Sequence, residues 1–425
     1  MEAIRTLIRN GHVVDTEPEP SARPATDVLI EDGRILAVGR GLPSAGAAVI
    51  DATDRLVLPG FVDAHRHLWQ SALRAAAVDT DLGTYLGLLA RTGPKFRPGD
   101  VYTATLAGAL ECLDSGITTQ LDYSHITYSP EHADAAIDAL GAAGLRAVYG
   151  YGTPVTGAPV TGGGDLADLY RVRTERLAAD DALVTLAHAP LGPSFAPLEQ
   201  VAEELRAARE LGLRSTYHVA ATPLAPRPIS ALRDAGLLGA DLLFVHGNTL
   251  DDGELKLIAD SGAAACAAPG AEAMLGDRAP VAGRLRRLGV TTGLGVDAVT
   301  SGPGDMFSVM RATLLASQIA DEPRLTCADV LRMATLDGAT ALGLADRAGS
   351  LRPGKRADVV LLRLDGINCL TAERDPIAAI VTAAQPYNVE TVLVGGRLVK
   401  SAGRLIHGDA GQLADDLREV AAAVA

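Results

Sequence analysis

Two kinds of apolar patterning divide this chain. Across residues 58 to 346, short β-branched apolar runs alternate with longer stretches whose apolar residues recur every three or four positions. The runs are LVLPGFVDAH, TTQLDYSH, RAVYGYG, ALVTLAHAP, RSTYHVAA, LLFVHGN, AAACAAP and TTGLGVDA, eight in all. Between them, stretches such as PEHADAAIDALGAAG and PLEQVAEELRAARELG have helical spacing and end at glycine, as helices commonly do. Eight strand–helix repeats predict an α/β fold, a (β/α)8 barrel of the TIM type, in which the carboxyl ends of all strands open on one face. The flanks differ. TLIRNGHVVD and DVLIEDGRILAVG near the start, and RADVVLL and ETVLVGGRLVKSAGRLI near the end, read as strands, three of the four with Asn-Gly, Asp-Gly or Gly-Gly at a turn, the chemistry of tight hairpins. Neither flank has enough strands to bury a sheet face alone. The expectation is one small β-sandwich assembled from residues 1–57 and 347–425, with the 58–346 barrel inserted between its halves. GQLADDLREVAAAVA, at the end, predicts an amphipathic helix packed on the outside.

Composition narrows the function classes. At 425 residues the chain exceeds the roughly 250–300 residues of a single core, in keeping with two units. A net charge of −14, with no Lys/Arg run to offset it, opposes binding to nucleic acid or to an anionic membrane surface. No apolar stretch of about 18 residues and no secretion-type leader is present, so a soluble, cytoplasmic protein is expected. Cys112, Cys266, Cys327 and Cys369 are widely spaced and read as reduced core residues.

The chemistry collects at the predicted strand ends. His65 and His67 follow the first run, Asp122 and His125 the second, His188 the fourth, His218 the fifth, His246 the sixth and Asp297 the eighth, which places six of the nine histidines on one barrel face. Side chains at i and i+2 of a strand share a side, so His65 and His67 point together. Two such imidazoles suit a metal. A further imidazole from the fifth strand and a carboxylate from the eighth would complete a nitrogen-rich site for a divalent first-row ion, leaving a position for water.

PGFVDAHRH, GLGVD and RPGKRADVVLL, in that order, resemble the amidohydrolase superfamily of metal-dependent barrel hydrolases and deaminases over nearly the whole chain. The resemblance implies that His65, His67, His218 and Asp297 hold one divalent ion, zinc first, with iron or manganese as alternatives. It implies that His246 contacts bound water or the substrate's polarised atom, and that Asp297 also takes the water's proton. Binuclear members use a carboxylated lysine on the fourth strand, but Lys95, Lys256, Lys355 and Lys400, the only lysines, lie elsewhere. The implied activity is hydrolysis of a C–N bond, other than a peptide bond, in a small, polar, heterocyclic substrate by a homo-oligomeric enzyme.

One departure stands out. Cyclic deaminases of the superfamily carry HxxE on the fifth strand, where the glutamate protonates a ring nitrogen; here the segment is HVAA, with Ala221 in its place. The segment after the seventh strand, AAPGAEAMLGD, also departs from the family pattern. A displaced carboxylate from Glu272 or Asp277, or an imidazole from His188 or His125, is the expected substitute. Trp69 and Gln70, just after the first ligand pair, are expected to wall the substrate pocket. A single strand-end histidine is more often structural than catalytic, and this reading competes for His125 and His188, as a solvated loop carboxylate competes for Glu272. It holds for His132, His12 and His407, which receive no role. TGGGD lacks the GK[ST] of a phosphate loop, and reads as part of a lid with the other glycine- and proline-rich loops. Two alternatives accompany the hydrolase: a non-hydrolytic lyase, cyclase or isomerase on the same barrel, and an inactive binding or scaffold protein.

Overall fold

The computed structural model describes residues 4–154, 164–275, 278–320, 324–406 and 410–425. Five strands lead: β1 (Arg5–Asp15), β2 (Ser21–Glu31), β3 (Arg34–Gly39), β4 (Ala47–Asp51) and β5 (Arg55–Pro59). Eight follow, separated by helices: β6 (Phe61–Arg66), β7 (Ile117–Ser124), β8 (Arg146–Gly152), β9 (Val184–Ala189), β10 (Ser215–Val219), β11 (Leu242–His246), β12 (Ala264–Ala267) and β13 (Thr291–Leu294). The last are β14 (Val359–Arg363), β15 (Val389–Val394), β16 (Arg397–Ser401) and β17 (Arg404–Leu405).

β6 to β13 pair in sequence order, every neighbour parallel. This is the predicted barrel. Val62, Ala64, Leu121, Tyr123, Val148, Ala187, Val245 and Cys266 fill its interior, and the intervening Phe61, Tyr149, Tyr217 and Phe244 belong to the outer core with the helices, the period of two that a strand imposes. The seam between β13 and β6 is closed at the carboxyl end, where Asp297 N–H donates to His65 O at 2.9 Å and His67 N–H to Asp297 O at 3.0 Å. Asp63 stitches the same seam, its Oδ1 accepting from the backbone N–H of His65 at 3.2 Å and of Val296 at 3.1 Å.

The first apolar run corrects the sequence reading. LVLPGFVDAH divides at Gly60: β5 pairs antiparallel with β14, Val57 opposite Leu361, and only β6 enters the barrel. A Cβ at Gly60 would lie 1.9 Å from Thr118 Oγ1, so the chain passes between the two sheets through a gap that only glycine fits. Both halves are buried and apolar, and periodicity cannot separate two such strands.

The flanks form one hydrogen-bonded sheet of nine strands among the described residues, ordered β17-β16-β15-β14-β5-β1-β2-β3 with β4 beside β1. The two chain ends meet at β5 and β14, as expected. Register shifts bracket Gly11 in the β1–β2 pairing. Ile8, Val28, Ile35, Val57, Leu361 and Leu393 make a core of their own, while Leu56, Leu58, Val360, Leu362 and Val392 join the outer core of the barrel. A buried ion pair pins the units together, Arg146 Nε on β8 meeting Asp358 Oδ2 at 2.6 Å.

The stretch after β6 is more ordered than a lid loop: it holds the helix Leu82–Thr92, whose first turn is capped by Asp81 Oδ1 accepting from Thr84 N–H at 2.7 Å. Most of GTPVTGAPVTGGGD lies outside the described residues. The C-terminal helix Ala410–Val424 packs on the helix Pro98–Asp114 and on the turn Leu68–Leu73, and Lys95 Nζ donates to Ala425 O at 2.5 Å. Among the described residues no helix is long and apolar enough to cross a membrane.

Candidate metal centre

Beside the seam, the imidazoles of His65, His67 and His246 face the Asp297 carboxylate, and that of His218 faces His65. His65 Nε2 lies 3.3 Å from Asp297 Oδ1 and 3.2 Å from His218 Nε2. His67 Nε2 lies 3.3 Å from the same Asp297 oxygen. Tetrahedral bonds of about 2.0–2.1 Å to zinc separate the donor atoms by roughly 3.3–3.4 Å, and these three separations are close to that value. His246 Nε2 faces the other oxygen, Asp297 Oδ2, at 3.6 Å. Donor atoms of His65, His218, His246 and Asp297 all fall within 4.8 Å of one another.

Local structure produces this aim. Pairing of β6 with β7 shifts register between Asp63 and Arg66. Arg66, between the two histidines, is fully buried and donates to Gly304 O at 2.9 Å and to Glu111. His67 Nδ1 lies 2.8 Å from Tyr123 O. A carbonyl only accepts, so Nδ1 carries the proton and Nε2 offers its lone pair to the centre. Asp297 and His246 both have positive φ, 65° and 68°, an uncommon conformation for residues with a Cβ and one that clusters at functional sites.

The protonation states suit a cation. Burial pushes the His65 imidazolium down to about 4. Burial, then the neighbouring His65 and His67, hold His218 well below the ordinary histidine value. Burial pushes the Asp297 carboxyl up, but the imidazoles of His65 and His67 outweigh it and hold the group well below the usual carboxylate range. Neutral imidazoles and an ionised carboxylate are the forms that bind metal. Near them, burial raises Asp122 to about 6 and Asp63 to about 7.

The amidohydrolase family model matches residues 56–399. The chain belongs to the amidohydrolase family. It is 32% identical over 409 residues to a 5-methylthioadenosine/S-adenosylhomocysteine deaminase of Thermococcus kodakarensis, covering 92% of this chain and 93% of that one. It is 30% identical over 392 residues to a 5'-deoxyadenosine deaminase of Methanothermobacter thermautotrophicus, covering 89% and 90%. Among solved structures it resembles an adenosine deaminase of Xanthomonas campestris with bound zinc, with a TM-score of 0.88 and 26% identity over 99% of this chain and 98% of that one.

In this amidohydrolase the expected pocket residues have different fates. His125 lies against the centre, its ring 4.2 Å from that of His67 and 5.4 Å from Trp69, and burial holds it well below the ordinary histidine value. Trp69 is buried edge-on against Phe96, and its indole N–H has no hydrogen-bond partner among the described residues. Gln70 faces Tyr85: its Nε2 donates to the Tyr85 hydroxyl at 2.8 Å, and that hydroxyl lies 3.1 Å from Gln70 Oε1. Glu272 is a buried carboxylate rather than a solvated one, and reaches towards His246. His188 departs from expectation. Ala187 and Ala189 flank it and face the barrel interior, so strand alternation turns His188 outward to the helices, and burial alone pushes it down to about 3.

Asp277 and His407 lie outside the described residues. His132 binds Phe96 O through Nε2 at 2.9 Å, a structural role. Ala221 is exposed, and its N–H donates to Thr249 Oγ1 at 2.9 Å. Sequence reasoning missed Tyr123, whose ring stands 4.3 Å from that of His218 and whose carbonyl orients His67. Its signal was its position at the carboxyl end of β7, two residues before His125; a search restricted to histidines and acids passes it over.

Proposed function

We propose that this amidohydrolase holds one zinc ion with His65, His67, His218 and Asp297 and hydrolyses a C–N bond of a small nitrogen heterocycle. The observation that carries the reading is the set of 3.2–3.3 Å donor separations at the barrel mouth. Bound there, the ion supplies a water whose pKa is brought from 15.7 to about 7 in favourable sites. Asp297 accepts the proton of that water. His246 Nε2, beside Asp297 Oδ2, contacts the atom of the substrate where charge develops. Trp69 and His125 present ring edges to a planar substrate, and the unpartnered indole N–H of Trp69 can donate to it. Gln70 holds Tyr85 in the wall. The deaminase names of the relatives support an amino-substituted ring. Ala221 favours a leaving group that departs without the HxxE glutamate, and it keeps a non-hydrolytic reaction as the second reading. Metal analysis should give close to one equivalent of zinc, or of iron or manganese, per chain, and product formed in oxygen-18 water should carry the label. Metal-free protein after reconstitution with each ion would remove the first claim; unlabelled product would establish the second reading.

The proposal includes a cytoplasmic, homo-oligomeric enzyme; light scattering reading a monomer would reject the oligomer. It also takes residues 1–57 and 347–425 as one unit and 58–346 as the other. A 58–346 fragment would bare the barrel surface that Leu56, Leu58, Val360 and Leu362 pack against, leaving an apolar patch of the kind that drives aggregation. It should be poorly soluble, and a monodisperse fragment with a cooperative melt would refute this division.

A further inference from the structure

The barrel strands pair as neighbours from β6 round to β13, but among the described residues these two end strands are not laddered to each other. Their backbones meet in one isolated bridge, Arg66 opposite Asp297. The candidate ligands straddle this gap, His65 and His67 at the end of β6 and Asp297 after β13. A buried side chain spans it. Arg66 lies between the two histidines, so strand alternation turns it away from the barrel mouth, and it is fully buried. Its Nη1 donates to Gly304 O at 2.9 Å and stands 3.4 Å from Cys112 Sγ, and its Nη2 donates to Glu111. Glu111 and Cys112 belong to the helix Pro98–Asp114. Gly304 ends the loop that starts at Asp297, and Asp305 beyond it caps the helix Met306–Ile319, its Oδ1 accepting from Ser308 N–H at 2.8 Å. A Cβ on Gly304 would lie 2.6 Å from Glu111 Cδ, so glycine is what lets this loop come close. Arg74 Nη2 meets Glu111 from the solvent side, 2.8 Å from each oxygen. A guanidinium stays charged and donates in fixed directions. One side chain thus ties the ligand strand to two helices, one following β6 and one following β13.

We propose that Arg66 is a positioning residue of the metal centre, whose side chain clamps the unladdered seam and so sets how far His65 and His67 stand from Asp297. This inference rests on the ligand set proposed above. The two imidazoles lie 3.3 Å from one carboxylate oxygen, and a site of this kind holds its ion only while such separations are kept within about 0.5 Å. Elsewhere in the barrel a ladder of backbone hydrogen bonds fixes neighbouring strands; here the guanidinium stands in for it. Its two acceptors, Gly304 O and Glu111, engage different nitrogens, which suits an arginine and not a lysine. Arg66 touches neither ion nor substrate. Its effect passes through the backbone on both flanks of the gap.

The test uses the full-length protein with zinc alone as the probe. Arg66→Met, which keeps much of the bulk and removes the donors, should weaken zinc binding about 10-fold or more, as expected when a partner that orients ligands is lost. In the metal-free protein, hydrogen exchange at the amides of His67 and Asp297, which make the seam's own backbone bonds, should quicken by about 10-fold or more. Exchange in β10, four strands from either side of the seam, should keep its wild-type rate. Arg66→Lys, whose ammonium reaches one acceptor, should recover part of both effects. Arg74→Met removes a partner of Glu111 and none of Arg66, and should leave both at wild-type values. If Arg66→Met does not fold, Arg66→Lys carries the test: weakened zinc binding with faster exchange confined to the seam supports the clamp, and wild-type values overturn it. Exchange that rises equally across the barrel, or an Arg74→Met protein that loses as much zinc affinity as Arg66→Met, would overturn it too, since either marks general destabilisation. The exchange readout needs no ion, so a wild type that binds no zinc would sink the ligand set and leave the clamp to be judged at the seam. Tight zinc binding indifferent to Arg66 would sink the clamp and leave the ligand set standing.

Discussion

His218→Ala will leave purification with little bound ion, and its affinity for zinc will fall by at least about 10²-fold. Substituting partners that merely orient ligands already costs 10–100-fold, and His218 is one of three imidazoles whose donor atom stands at a tetrahedral edge, 3.2 Å from His65 Nε2. Any hydrolytic activity should fall with it by about 10³-fold or more, because the ion supplies the nucleophile. The substitution shortens a side chain at the open end of the barrel, so the melting transition of the apoprotein should scarcely move. Elemental analysis and zinc titration read the first effect, and calorimetry the second. A variant that keeps one tight equivalent of zinc would show that the ligand set is wrong.

The second large effect is a gain. Wild-type protein, fully metallated, should deaminate adenosine, 5-methylthioadenosine, guanine and cytosine well below the ordinary kcat/KM of roughly 10⁴ M⁻¹s⁻¹, and Ala221→Glu should raise ammonia release from an adenosine-type substrate by about 10²-fold. A positioned acid–base group contributes about 10²–10⁴. The place is ready: Ala221 is exposed and its backbone is anchored to Thr249 Oγ1, so a longer side chain has room and a fixed origin. Ordinary turnover of a common purine by the wild type would contradict this account. So would an Ala221→Glu protein that holds its zinc and gains nothing.

How far the sequence reached depended on what each signal encodes. The eight runs and their order were legible because parallel barrel strands are short, apolar and punctuated by helices, and the gathering of His65, His67, His218, His246 and Asp297 at one end of the barrel was legible because a strand end fixes where side chains point. The division of LVLPGFVDAH was not, since a buried strand of the small sheet and a buried barrel strand have the same composition, and the sign of the change is one glycine wedged against Thr118. His188 was misplaced for a related reason. Its neighbours Ala187 and Ala189 are small enough to face either way, so the phase of β9 was undetermined until its partners fixed it. Glu272 read as a loop acid because nothing in AAPGAEAMLGD announces that two backbone donors, at Ala268 and Val281, close over it.

The seam between β6 and β13 has a consequence for how the protein is born. Asp63 and Val296, joined there, are 233 positions apart, and contacts so distant form only after intervening chain has been ordered. During synthesis, His65, His67 and His218 leave the ribosome long before Asp297, and none of them can meet the carboxylate until the eighth strand arrives to close the barrel. On the proposed ligand set, metal loading would be a late event, coincident with completion of the fold. Translation products interrupted before β13 would then lack Asp297, and metal content would serve as a quality mark that separates finished molecules from truncated ones.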